Sequence, residues 1–283
     1  MKIFLTGGGG YIGGNFIDYA LKNNHIIYAV SRKKSNKKRK NLIWLKGRID
    51  KNWKELKDCE VLVHLASEGV YKKYSNFKKC FNFNVIASSK LLKNCIKSKC
   101  LKWIIVGSCF EKKIKKNNYS KTLLKRYNKI PFFNYALSKH IFSKMSFKIA
   151  KKNKVKCRVL RLFHVYGNNE NKNRLWPSLI NAAKKNKDFH MTRGDQIRDF
   201  CHVNNVVISL TKALDFNIKG KKFPQLWDFA TGKRKSVKKF AKQIWNKYKS
   251  KGKLIFNKIN DYDDSDYLAN KRILWKVKTQ EII

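Results

Sequence analysis

The sequence predicts an α/β protein, a doubly wound parallel sheet with helices on both faces followed by a smaller C-terminal α/β lobe. Three observations carry this expectation. The chain opens on a short apolar run that breaks into glycines, with six of its fourteen glycines between Gly7 and Gly14. Apolar runs then alternate with segments of helical periodicity as far as about residue 165. Beyond that point the alternation loosens while helical segments continue.

Taken in order, Lys2 to Thr6 reads as the first strand, and Phe16, Ile17, Ala20 and Leu21 recur at helical spacing after the glycines. Ile26 to Val30 completes a strand–helix–strand unit of about 30 residues, the size expected of two parallel strands joined by a helix. Further strands are expected at Leu42–Leu45, Glu60–Leu65, Trp103–Gly107 and Lys156–Phe163, with helices at Cys80–Lys97 and Tyr135–Ala150. In the second lobe helices are expected at Trp176–Lys185, Asn204–Phe216 and Ser236–Tyr248, and short strands near 226–230 and 253–256. No repeat and no linker separates the parts. Residues 1–165 and 166–283 are therefore expected to form two interleaved parts of one unit.

Composition narrows the function classes. With 43% hydrophobic residues among 283, the chain can bury a core despite a net charge of +48. Of its 66 basic residues, 55 are Lys and 11 are Arg. Such a profile fits A/T-rich codon usage filling tolerant surface positions, whereas nucleic-acid recognition favours Arg for bidentate contacts. No specific nucleic-acid partner is expected; a polyanion-binding role without catalysis stands as the alternative of another class. No run approaches the roughly 20 apolar residues of a membrane span. The glycines follow Met1 too closely for a signal peptide. Seven Cys without a CxxC or a zinc-like Cys/His spacing read as reduced thiols in a cytoplasmic protein without a metal.

Two motifs carry chemistry. Gly7, Gly10 and Gly13 lie between a strand and a helix, where a tight turn lets backbone N–H groups approach a pyrophosphate. This is the arrangement of a dinucleotide site. After the second strand an NAD site usually places an acid for the ribose 2′-hydroxyl, and an NADP site places basic residues. Here Ser31-Arg32-Lys33-Lys34 stands, with no acid before Asp50, so NADP is expected and NAD stays possible. The alternative is that these residues belong to the general Lys excess. The second motif is Tyr135-Ala-Leu-Ser-Lys139. Residues four apart share a helix face, so the ammonium of Lys139 is expected beside the phenol, drawing its pKa from about 10 towards neutrality for proton exchange. Val106-Gly107-Ser108 delivers a hydroxyl at the carboxyl edge of the sheet, where such folds bind ligands.

The ordered set resembles the extended short-chain dehydrogenase/reductases, the sugar-nucleotide epimerase/dehydratase group built on a Rossmann fold. Thr6-Gly-Gly-Gly-Gly-Tyr11-Ile12-Gly13 is similar to that group's cofactor loop, and His64-Leu65-Ala66-Ser67 to its strand end. Asn84-Val85, Gly107-Ser108-Cys109-Phe110-Glu111, Tyr135 with Lys139, Arg161 to Gly167, Arg198-Asp199-Phe200 and Leu274-Trp275-Lys276 follow in its order. The stretches around Ser108 and from Arg161 to Phe200 look most similar to CDP-abequose synthase-like 4-ketosugar reductases. The resemblance implies Ser108, Tyr135 and Lys139 as catalytic residues. It implies cofactor contacts from Gly7, Gly10, Tyr11, Ile12, Gly13, Ser31, Arg32, Leu65, Ala66, Tyr135 and Lys139. Substrate contacts are implied for Ser108, His164 and Arg198, and the partners implied are a nucleotide-sugar substrate and a second copy in a homodimer. The implied reaction is reduction of a nucleotide-linked 4-keto-6-deoxyhexose, with a 4-epimerase as the alternative. Three positions depart from the group's pattern: Arg48 stands where an adenine-contacting Asp is common, Asn204-Asn205 replaces an Asp pair, and Lys112-Lys113 replaces Tyr-Gly. A dehydratase is not expected. Glu111 is the only acid between residues 69 and 169 and falls one position beyond the acid pair of the related dehydratases, which on a strand-like segment reverses a side chain.

Overall fold

The computed structural model describes residues 1–32, 39–70, 75–114, 132–217, 222–257 and 266–269. Its first strands are β1 (Lys2–Thr6), β2 (Ile26–Ser31), β3 (Leu42–Lys46), β4 (Val61–His64), β5 (Lys102–Ser108) and β6 (Lys156–Leu162). The later strands are β7 (His164–Tyr166), β8 (Phe189–His190), β9 (Ile197–His202), β10 (Gln225–Phe229), β11 (Arg234–Ser236) and β12 (Leu254–Ile255). The helices are α1 (Tyr11–Lys22), α2 (Phe77–Phe81), α3 (Ser88–Lys97), α4 (Phe133–Lys152), α5 (Leu175–Lys184), α6 (Val203–Lys212) and α7 (Val237–Lys247). One π-helical turn, Asn82–Ala87, joins α2 to α3, and short 3₁₀ turns lie at Lys54–Asp58 and Cys109–Lys113.

The main sheet has the order β10-β6-β5-β4-β1-β2-β3, and every neighbouring pair from β3 to β6 is parallel. A sheet covered on both faces needs strands that are apolar on both sides. That is why β4 is buried along its whole length and β1 from Ile3 to Thr6. Phe4, Leu62, Trp103 and Ile105 from the strands meet Leu91, Leu92 and Phe142 from α3 and α4 in one core. Strand order reverses between β1 and β4, which begin neighbouring crossovers in opposite directions; this switch point is where ligands enter such sheets.

Backbone contacts divide the chain into two compact units. The first holds Met1–Leu162 and Val207–Trp227, and the second holds Phe163–Val206 and the described part of Asp228–Ile283. The sequence-based division at 165/166 did not include the return of 207–227, which brings β10 to the edge of the first sheet. Arg158 of β6 is a physical reason for that return. It is fully buried, donates to Gln225 Oε1 (3.0 Å) and to the Ala213 and Asp215 carbonyls, and sits against the rings of Phe216, Phe223 and Trp227. The second unit carries the three-stranded sheet β11-β9-β7 and the pair β12-β8. Leu179 and Ala183 of α5 pack there against Phe240 and Ile244 of α7.

The seven cysteines are buried thiols without disulfides. Among the described residues no helix is long and apolar enough to cross a membrane. Within the basic run from Arg32 to Lys40, Arg32 is exposed, Arg39 pairs with Asp18, and Lys33 and Lys34 lie outside the described residues.

Candidate active site

The glycine loop is shaped by close backbone approach. Gly7 has φ +77°, and a side chain there would place its Cβ 2.6 Å from the Ala66 amide nitrogen. A Cβ on Gly13 would stand 2.1 Å from the Gly7 carbonyl oxygen, which accepts the Gly10 N–H at 3.0 Å. Glycine is needed at both positions to let β1, the turn and α1 close on one another. No side chain caps Gly10 and no acid lies in the first turn of α1, so its leading N–H groups and positive dipole end suit a pyrophosphate. The Gly10 N–H is held by the Gly7 carbonyl, the Leu65 N–H by the Thr6 carbonyl and the Ala66 N–H by Thr6 Oγ1, so these groups shape the cradle around the start of α1. Ser31 lies beside the same loop, 3.8 Å from where a Cβ on Gly9 would stand.

A buried polar chain holds the two sides together. Thr6 Oγ1 lies 2.7 Å from His64 Nδ1, and His64 Nε2 lies 3.1 Å from Ser88 Oγ. Because Ser88 donates to the Phe83 carbonyl, it accepts from Nε2–H, which leaves Nδ1 to accept from Thr6. Thr6 in turn accepts the Ala66 N–H at 3.3 Å. Burial, with Lys139 as a lesser cause, lowers the His64 pKa to about 3, so the ring is neutral and serves as a spacer between β1, β4 and α3.

Ser108, Tyr135 and Lys139 come together in the first unit, all three buried. Ser108 ends β5 and caps the turn that follows: its Oγ accepts the Phe110 N–H at 3.3 Å, while Glu111 Oε1 accepts the Ser108 N–H at 2.7 Å. Tyr135 stands in the first turn of α4, its phenol in hydrogen-bonding reach of the Ser108 and Ser67 side chains. Asn84, in the π-helical turn, links these pieces. It accepts the Glu68 N–H (2.8 Å) and donates to Ser138 Oγ (2.9 Å), which donates to the Tyr135 carbonyl (2.8 Å). The Phe110 ring meets Tyr135 edge-on, 6.2 Å between centroids.

Two expectations are corrected here. Lys139 was to draw the phenol towards neutrality, but burial pushes the Tyr135 pKa above its ordinary value and the Lys139 amine donates to the Val106 carbonyl at 2.6 Å. Burial lowers Lys139 itself to about 8, with Glu111 acting the other way. Glu111 was read on a strand-like segment; it lies on a 3₁₀ turn, because Ser108 and Glu111 form a reciprocal cap. Sequence reasoning left Glu111 out of the site, although Ser-x-x-Glu is the spacing of that cap.

In the second unit, His164 on β7 and Arg198 on β9 both meet Tyr267. The His164 and Tyr267 ring centroids are 5.6 Å apart, and the Arg198 guanidinium lies 4.9 Å from the Tyr267 ring centre. Tyr267 had no motif to announce it. Asp199 points elsewhere, accepting from the Thr231 and Gly232 N–H groups at 2.9 and 2.7 Å. Arg48, at the departure from the adenine-contacting pattern, forms a two-pronged pair with Asp50 at 2.9 and 3.1 Å.

A Rossmann-type sheet with a glycine cradle and a Ser/Tyr/Lys set at its carboxyl edge defines an enzyme of the dinucleotide-dependent oxidoreductase class. The chain belongs to the NAD dependent epimerase/dehydratase family, whose model matches residues 3–224. It is 24% identical over 267 residues to a CDP-abequose synthase of Salmonella muenchen, covering 93% of this chain and 86% of that one. An ADP-L-glycero-D-manno-heptose-6-epimerase of Brachyspira hyodysenteriae is 28% identical over 276 residues, covering 88% of this chain and 81% of its own. Among solved structures, the UDP-glucuronic acid 4-epimerase of Bacillus cereus in complex with UDP-glucuronic acid and NAD superposes with a TM-score of 0.78 at 19% identity, over 95% of this chain and 90% of that one.

Proposed function

We propose that this enzyme reduces a nucleotide-linked 4-keto-6-deoxyhexose at C4, using NADPH. The observation that carries the reading is the buried Ser108/Tyr135/Lys139 cluster at the carboxyl end of β5, with the phenol within hydrogen-bonding reach of Ser108. Reduction ends in an alkoxide at O4, and Tyr135 gives that oxygen its proton. Ser108 holds O4 by a hydrogen bond, and Lys139 holds the nicotinamide ribose and adds positive charge near the phenol. The bound dinucleotide supplies the hydride. His164 and Arg198 contact the substrate, Arg198 at its diphosphate. For the choice of NADPH, exposed Arg32 follows Ser31 at the end of β2, and the next acid along the chain, Asp50, is engaged by Arg48. A 4-epimerase is the second reading, favoured by the 4-epimerase name of a structural neighbour. It begins by removing a proton from O4, the reverse of the same Tyr135 transfer, and then returns the hydride to the opposite face of C4.

The test is consumption of NADPH and of NADH by purified enzyme, screened against nucleotide-linked 4-ketosugars. Stoichiometric NADPH oxidation with one of them is expected. Catalytic interconversion of two sugar nucleotides with retained cofactor would establish the epimerase instead.

A further inference from the structure

A dinucleotide crosses the carboxyl edge of this sheet in a fixed order. Its pyrophosphate belongs at the glycine loop after β1, and its adenosine ribose beside the residues that follow β2. The adenine then comes over the end of β3, one strand further, about 4.8 Å on. Strands β2 and β3 run in parallel register as far as Ser31 and Lys46, and the Gly47 N–H donates to the Ser31 carbonyl at 2.9 Å, so their ends lie side by side. Arg48 is the next residue. Its main chain is fixed: the Arg48 carbonyl accepts the Trp53 indole N–H at 3.1 Å, and the Lys51 carbonyl accepts from Asn94 of α3 at 3.2 Å. Its side chain is fixed too, Nε and Nη2 donating to the two Asp50 oxygens at 2.9 and 3.1 Å. The Arg48 side chain is nevertheless 78% exposed, against 15% for Asp50. An arginine at the surface is thus held in one plane by a partner that is mostly covered.

We propose that the Arg48 guanidinium, held flat by Asp50, is the platform on which the adenine of the bound cofactor stacks. This rests on the dinucleotide-binding role of the glycine loop and depends neither on the ketosugar nor on the choice of NADPH. Three points favour a platform over the other contacts an arginine makes. A guanidinium stacks on a π face through its plane, and pairing along its Nε edge does not occupy its faces. Asp50 also offsets the guanidinium charge, which weakens it as a ligand for a 2′-phosphate; that role stays with exposed Arg32 at the end of β2. Finally, arginine carries donors and no acceptor, so it cannot receive the 6-amino group of adenine. Recognition through the face takes the base as a flat ring and is blind to that amino group.

The experiment measures binding of NADPH, of NADH and of the hypoxanthine analogue of NADPH by nicotinamide fluorescence, in wild type, Arg48→Ala and Arg48→Lys, with no sugar present. Its outcome is independent of the proposed reaction, which the ketosugar screen tests separately. Wild type is expected to bind the hypoxanthine analogue within about threefold of NADPH. Arg48→Ala should weaken NADPH and NADH by the same factor, about three- to fivefold, the scale of an exposed cation–π contact. Arg48→Lys should lose about as much, since an ammonium keeps the charge without the plane. Arg48 is a surface side chain, so both variants should melt with wild type. Four results would overturn the proposal. A loss confined to NADPH would mean a 2′-phosphate contact, and full affinity in Arg48→Lys a role for charge alone. Unchanged affinity in Arg48→Ala would leave only a surface ion pair, and a larger loss with the hypoxanthine analogue would mean that the edge of the base is read.

Discussion

Substituting Gly13 by alanine tests the cofactor cradle at its tightest point. The added Cβ would stand 2.1 Å from the Gly7 carbonyl oxygen, 2.8 Å from the Gly7 carbonyl carbon and 2.9 Å from the Gly8 Cα, all of them backbone atoms. Ordinary contact begins near 3.4 Å, so the turn must retreat by more than 1 Å. Two effects oppose each other. Alanine in a helix is favoured over glycine by about 1 kcal/mol. Overpacking against backbone costs about 1–3 kcal/mol, and sometimes more. At 2.1 Å the clash is severe, and the upper part of that range applies, so the steric effect wins. Gly14, the next residue, gives the control. Its Cβ would meet the Gly8 carbonyl oxygen at 3.9 Å, an ordinary contact, so alanine there receives the helix benefit without the clash. Gly13→Ala should lower the melting temperature by a few degrees and weaken cofactor binding by about tenfold or more, since about 1.4 kcal/mol is a factor of ten. Gly14→Ala should melt at or above wild type. The assays are thermal unfolding and titration of reduced-cofactor fluorescence. If Gly13→Ala bound cofactor as wild type and melted no lower, the loop would not have the packing described.

Three other outcomes are expected. Tyr135→Phe should bind cofactor nearly as wild type and lose about 10²–10⁴-fold in kcat, the usual scale for a lost acid–base group; steady-state kinetics with the ketosugar check this. Wild-type kcat/KM should be higher with NADPH than with NADH, and Arg32→Asp should move the preference towards NADH; a wild-type preference for NADH would reduce the basic run to codon drift. His64 is neutral in the fold, with its pKa lowered from 6.5 to about 3, so the unfolded chain binds more protons between those values. Stability should therefore fall as pH drops below 6.5, by up to about 1.4 kcal/mol per unit from this group, and denaturant unfolding of His64→Gln should show a shallower slope.

Much of the first sheet was legible because its strands are short apolar runs separated by helical periodicity, and β1 to β6 lie within a residue or two of their expected places. The return of 207–227 was not legible, since strand order depends on contacts such as those of Arg158 that no local pattern encodes. Strands β7 and β9 were missed as well. His164–Tyr166 is three residues long, and Ile197–His202 carries charges that only its buried partners make tolerable. In the site, Ser108, Tyr135 and Lys139 announced themselves by spacing and by what lies before them. Glu111 was visible as Ser-x-x-Glu but was read as part of a strand. Burial raises the Tyr135 pKa and lowers that of Lys139, and burial belongs to the folded chain. Tyr267 stands alone in a polar stretch, so only the structure brings it to His164 and Arg198.

The most direct measurement of the central claim follows the hydride. Enzyme is supplied with NADPH carrying deuterium at the transferable position and a nucleotide-linked 4-keto-6-deoxyhexose, and the product is read by mass and by NMR. Reduction at C4 places one deuterium on that carbon, with the O4 proton drawn from Tyr135 and so from solvent. In parallel, CDP-glucose or dTDP-glucose with catalytic oxidised cofactor should be returned unchanged, because Glu111 is turned back onto the Ser108 amide. Deuterium at C4 together with an intact hexose substrate is the predicted result. Absence of label at C4 with every ketosugar tried, or loss of one water from the hexose, would contradict the account.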